Sequence, residues 1–125
     1  MDGETELTRR IIGCGLEVHR RLGPGLLENV YESALCIELR TQGLNYERQI
    51  GIPLYYRDEL ISEHRPDLIV EKEVIVEVKS VERLSPLHWA QVLTYLRVSG
   101  LRVGLLLNFN SPTLRAGTRR IVLNA

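Results

Sequence analysis

A chain of 125 residues with 44% hydrophobic and 26% charged content suits one compact domain, residues 1–125, and excludes disordered and repetitive classes. No apolar stretch is long enough to cross a bilayer, and the opening "MDGETELTRR" has no apolar signal core, so a cytoplasmic protein without membrane contact is expected. Sixteen basic and sixteen acidic residues cancel, which excludes coating of nucleic acid by bulk charge but not a local basic groove.

Residues 5–22 carry a helical stripe of Leu7, Ile11, Cys14, Val18 and Leu22. "GPG" at 23–25 breaks it, and a second helix is expected over about 26–42, with Leu27, Val30, Ala34 and Ile37 apolar and Gly43 as its stop. Two helices joined by so short a break pack as neighbours. The period then changes, which predicts strands at about 45–50 and 52–57, a turn at Arg57–Glu59, and a meander continued by 60–71 and 74–80. Ser85 and Pro86 suit the N-cap and first position of a third helix that ends at Gly100. An apolar strand at 102–109, a loop at 110–117 and a short last strand complete the chain. The resulting class is α/β, a mixed central sheet flanked by helices. Its strand–helix–strand unit over 74–109 should be a parallel, right-handed crossover. Cys14 and Cys36 lack metal-ligand spacing and read as buried thiols.

"RPDLIVEKEVIVEVKS", residues 65–80, sets Asp67, Glu77 and Lys79 within otherwise apolar runs. Alternation puts Val74, Val76 and Val78 on one face and Ile75, Glu77 and Lys79 on the other. Folding the ribbon about Lys72 sets residue 70 against 74, 68 against 76 and Asp67 against Glu77, although a turn shifted by one residue changes this register. Two adjacent carboxylates repel unless a proton or a cation intervenes. Asp67, Glu77 and the main-chain carbonyl of Val78 form a workable partial shell for Mg²⁺ or Mn²⁺. Lys79, one of only two lysines against 14 arginines, then orients or helps deprotonate an attacking water. That is an arrangement for phosphodiester hydrolysis. A partly solvated salt-bridge cluster gives the same spacing, and spacing alone does not separate the two.

"PD" at 66–67 followed by "EVK" at 77–79 resembles the PD-(D/E)xK nuclease signature. "GLLENVY", Gly25 to Tyr31, matches the GxxExxY pattern that names a bacterial family of that superfamily, and the resemblance extends from about residue 6 to 123. It implies a restriction-endonuclease-like αβββαβ core. It also implies that Asp67, Glu77 and Lys79 form the metal and catalytic motif and that Glu28 joins the metal shell. Gln91 and Tyr95, in "QVLTY", match a QxxxY motif that lines the site near phosphate or DNA.

The remaining residues have plainer readings beside functional ones. Glu28, Tyr31 and Glu32 share a helical face opposite much of the apolar stripe. His88, Gln91 and Tyr95 form one polar stripe of the third helix, while Trp89, Val92, Leu93 and Leu96 should cover the sheet. His19 is either a structural group or a phosphate contact. Arg9, Arg10, Arg20 and Arg21 of the first helix, with Arg115, Arg119 and Arg120, are candidate phosphate contacts or scattered solvated charges. The functional expectation is a metal-dependent nuclease acting on nucleic acid, DNA in the first instance, with a homodimer as one way to enlarge the groove. The alternatives are a weak or inactive nuclease-fold module binding nucleic acid or a protein, and a structural protein in which the cluster is an ion network.

Overall fold

The computed structural model describes residues 5–124. Helix α1 (Glu6–Leu22) starts at Thr5, whose side chain accepts from the Thr8 N–H at 3.1 Å while Thr8 Oγ1 accepts from the Thr5 N–H at 2.8 Å. This reciprocal cap satisfies two donors that the first turn leaves open. Ile11, Cys14 and Val18 are buried as the stripe requires, while Leu22 runs out to the surface. Gly23 and Gly25 then adopt φ of 70° and 97°, which favours glycine at both.

Helix α2 (Glu28–Thr41) turns a different face inward from the one expected. Leu27, Val30 and Ile37 are exposed, Leu27 at 74%, whereas Tyr31, Leu35, Cys36 and Leu39 are buried together with Glu32. Both sets recur at helical spacing, so period alone does not choose between them. Partners decide the matter: Tyr31 stacks on Phe109 with ring centroids 4.7 Å apart and planes 11° apart, and Glu32 pairs with Arg48.

The main sheet has five strands: β1 (Tyr46–Arg48), β4 (Leu68–Val70), β5 (Val74–Lys79), β6 (Val103–Asn108) and β7 (Thr118–Val122), in the order β1-β4-β5-β6-β7. Only the β5–β6 pair is parallel, so the sheet is mixed as expected. The segment expected as one strand over 60–71 is split. Its first part, β3 (Glu59–His64), pairs with β2 (Ile52–Tyr56) in a separate two-stranded sheet. Pro66 lies at the break, where its fixed φ and missing N–H suit a change of direction between sheets. β1 therefore pairs with β4 across the excursion, and no single meander forms.

Val74, Val76 and Val78 face a core shared with α1 and α2. Ile75 faces a second, smaller core under α3 (Pro86–Ser99), where Val92, Tyr95, Leu96, Leu106 and Ile121 meet. Helices thus cover both faces of the sheet. Ser85 N–H donates to His88 Nδ1 at 3.1 Å, so His88 helps to cap α3. Trp89, expected over the sheet, is 40% exposed, and Tyr95, expected on the polar stripe, is 6% exposed. At Gly104 a Cβ would stand 2.5 Å from Val92 Cγ1, so this glycine sets how closely α3 lies on the sheet.

Candidate active site

The β4–β5 ribbon has the register that alternation predicts: Val70 opposes Val74, Ile69 opposes Ile75 and Leu68 opposes Val76. Asp67 and Glu77 continue this ladder through their side chains. Glu77 Oε1 accepts from the Asp67 N–H at 2.8 Å, and Asp67 Oδ2 accepts from the Val78 N–H at 2.8 Å. Two carboxyl groups thereby take the places of main-chain acceptors where the strands part. Lys79 lies beside them, its Nζ 3.6 Å from Glu77 Oε2 and donating at 3.3 Å to Gln91 Oε1 of α3. The link from Lys79 to Gln91 joins the end of β5 to α3.

Main-chain direction matters as much as side chains here. Lys79 O accepts from the Phe109 N–H on the β6 side. The peptide groups of a strand alternate in direction. The carbonyl of Val78 therefore faces the Asp67 side, as its N–H does.

Burial and like charge act on this pair in the same direction. Desolvation, helped by the Glu32 charge, lifts the Asp67 carboxyl to about 6. Desolvation and the Asp67 charge lift Glu77 to about 8. With Glu77 only 3% exposed, the metal-free pair holds on to a proton at neutral pH. Tyr95 is lifted to about 12, chiefly by burial and then by the Glu77 and Asp67 charges. Its hydroxyl keeps its proton and points toward Arg65 O at 3.5 Å. It is a donor at this site and not a base.

The α2 side brings two more carboxylates, one turn apart. Glu28 Oε2 accepts from the Ser80 N–H at 3.1 Å, just past Lys79. Glu32 accepts from Arg48 Nε at 2.6 Å and from Gln49 Nε2 at 3.3 Å, and Gln49 Nε2 also donates to Asp67 Oδ1 at 3.1 Å. Gln49 and Arg48 were not singled out from sequence, and Glu32 was named only for its helical face. Glu32 shares the helical face of Glu28 and Tyr31, which was the available signal. Its partners lie 16 and 17 positions away, and only the fold supplies them.

Gly25, Glu28 and Tyr31 of "GLLENVY" each have a physical task. Gly25 takes the positive φ of the turn. Glu28 ties α2 to the end of β5. The Tyr31 hydroxyl donates to Gly23 O at 2.5 Å and accepts from the Leu26 N–H at 3.0 Å, bracing the turn before Glu28. Ser80 Oγ adds a bond to Leu26 O at 2.5 Å. Of the histidines, His19 Nε2 bonds Ser111 O at 2.8 Å, a structural contact, and His64 sits edge-on to Tyr95.

Among the described residues no three acidic, imidazole or thiol side chains gather closely enough to enclose an ion by themselves. A cation here needs main-chain or water oxygens beside the carboxyl pair. That suits Mg²⁺, which commonly binds through one or two carboxylates and retains several waters. The donor set of hard oxygens, with a proton held where a cation would stand, fits such an ion.

A family model described as the PD-(D/E)XK nuclease superfamily matches residues 5–121. The chain belongs to the PD-(D/E)XK nuclease superfamily. Its mixed sheet flanked by helices agrees with the restriction-endonuclease-like arrangement of that superfamily. PD-(D/E)XK nucleases typically use divalent metals and act on nucleic acid. No curated protein and no solved structure matches the chain. Among the described residues no helix is long and apolar enough to cross a membrane.

Proposed function

We propose that this protein is a Mg²⁺- or Mn²⁺-dependent nuclease of the GxxExxY type that hydrolyses phosphodiester bonds in DNA. Asp67, Glu77 and the Val78 carbonyl would hold the cation, and Glu28, bound to the Ser80 N–H at the end of β5, would join the shell through water rather than as a direct third carboxylate. The cation, when bound, polarises the scissile phosphate and stabilises the charge that develops on it. Lys79 positions the attacking water, and its positive charge eases loss of the water's proton to solvent. Gln91 holds the Lys79 side chain in place, and Tyr95 offers its hydroxyl as a hydrogen-bond donor beside Glu77. A homodimer widens the groove for a duplex.

The observation that carries this reading is the crossed pair of hydrogen bonds, Asp67 N–H to Glu77 and Val78 N–H to Asp67. They hold a buried and a half-buried acid side by side at a sheet edge, at a cost that a purely structural ion network would not need. The test is incubation of labelled single-stranded, duplex and branched DNA with Mg²⁺ or Mn²⁺, beside Glu77→Ala and with calorimetric Mn²⁺ titration. Cleavage and cation uptake lost together in Glu77→Ala support the reading. Cleavage unchanged in that variant refutes it. Size-exclusion chromatography with light scattering checks the dimer.

A further inference from the structure

Gln49 stands where the chain leaves β1 for the β2–β3 hairpin. Its N–H donates to Asp67 O at 3.0 Å, and its carbonyl accepts from Arg65 Nη1 at 3.0 Å. The root of the hairpin is thus secured without help from the Gln49 side chain. Successive residues of a strand point to opposite faces, yet Arg48 and Gln49 both reach Glu32 of α2. A φ of 56° at Gln49 breaks the alternation. A residue other than glycine carries a backbone cost in this left-handed region. The bent backbone brings the Gln49 amide between two carboxylates.

The direction of that amide is set by its surroundings. Its nitrogen lies 3.3 Å from both Glu32 oxygens and 3.1 Å from Asp67 Oδ1. An amide nitrogen carries two hydrogens, one for each carboxylate, whereas the reversed amide would aim its oxygen at both. Glu32 is itself fixed by Arg48 Nε at 2.6 Å. Asp67 then receives one donor on each oxygen: Gln49 on Oδ1, and the Val78 N–H on Oδ2 at 2.8 Å. A carboxyl group turns loosely about its last side-chain bond. Donors on both oxygens stop that turning and still leave each oxygen a lone pair.

We propose that Gln49 is a positioning residue for the cation site: its amide, aimed by the Glu32–Arg48 pair, holds the Asp67 carboxylate in the orientation that meets a divalent cation beside Glu77. The proposal rests on the nuclease reading. Gln49 acts through Asp67 and touches neither the cation nor the scissile phosphate. The residue is exposed, so exchanging its side chain opens no cavity and the variants should fold.

The test is calorimetric titration of Mn²⁺ into wild type, Gln49→Met and Gln49→Gly, with urea unfolding in EDTA to show that each variant folds. Gln49→Met keeps the length of the side chain without its N–H groups. Gln49→Gly removes the side chain and relieves the backbone. Both should weaken Mn²⁺ binding by about 10–100-fold, as loss of a group that orients a metal ligand does. Raising Mn²⁺ by the same factor should restore cleavage of labelled DNA. Arg65→Met, which removes the bond to the Gln49 carbonyl and leaves the amide, should keep wild-type Mn²⁺ affinity. Wild-type Mn²⁺ affinity in either Gln49 variant, an equal loss in Arg65→Met, or cleavage that stays low at raised Mn²⁺ overturns the proposal. A wild type that takes up no Mn²⁺ refutes the nuclease reading and this proposal together, and is recognised before any variant is made. The calorimetric comparison reads the role of Gln49 without any measurement of cleavage.

Discussion

Asp67→Asn separates the cost of the acidic pair from its use. The substitution keeps an acceptor for the Val78 N–H and replaces a carboxylate oxygen near Glu32 with a donor. In the wild type the Asp67 carboxyl is lifted to about 6, mainly by burial. A lift of that size from the ordinary carboxylate range corresponds to about 3 kcal/mol of native-state penalty once the group is ionised. Asp67 is partly exposed, and solvent screening reduces this to about 1–2 kcal/mol. The sign follows from proton uptake. Below pH 4 both folded and unfolded chains hold the proton and the penalty is absent. It grows as pH rises through the folded value and is complete above about pH 7. Metal-free Asp67→Asn should therefore melt about 4–8 °C above the metal-free wild type at pH 8 and level with it near pH 4. Millimolar Mn²⁺ should raise the wild-type midpoint at pH 8 and leave the variant unmoved. Scanning calorimetry in EDTA and in Mn²⁺ reads both effects. A variant no more stable than wild type at pH 8, or a gain that persists unchanged at pH 4, refutes the electrostatic reasoning.

Lys79→Ala should abolish DNA cleavage while far-ultraviolet dichroism and the urea midpoint stay near wild type, because Lys79 retains some solvent exposure. Tyr31→Phe keeps the stack on Phe109 but loses the bonds to Gly23 and Leu26; urea titration should show a loss of about 1–2 kcal/mol, and any cleavage rate should fall as the turn before Glu28 loosens. Gly104→Ala drives a methyl against Val92, with 2.5 Å between the atoms, and should destabilise the protein by about 1–3 kcal/mol as α3 is pushed off the sheet. Amide exchange along α3 should rise in that variant and not along α1.

The sequence made the β4–β5 ribbon legible because its information is local. Alternation and a short turn fix which residues face one another, and Asp67 meets Glu77 without help from the rest of the chain. The parallel β5–β6 pair was legible for a related reason: a helix between two apolar strands leaves few topologies. The inward face of α2 was not legible. Both of its sides carry apolar residues at helical spacing, and the choice rests on Phe109 and Arg48, which are remote in sequence. The hairpin over 52–64 was legible, but its separation from the main sheet was not, because its strands alternate like any others. What sets it apart is the break at Pro66, in the polar stretch between Ser62 and Asp67.

The β4–β5 turn has a consequence for the order in which the molecule forms. Glu71 and Lys72 bend the chain with φ of 53° and 56°, and the ribbon closes over a short stretch of chain. Ribbons of this kind form within roughly 1–10 μs, whereas joining β5 to β6 must wait for the intervening α3 and a longer loop closure. Both acids are thus driven together at the start of assembly, before any helix shields them. Mildly acidic solution, by neutralising them, should hasten the refolding rate itself and not merely favour its end point.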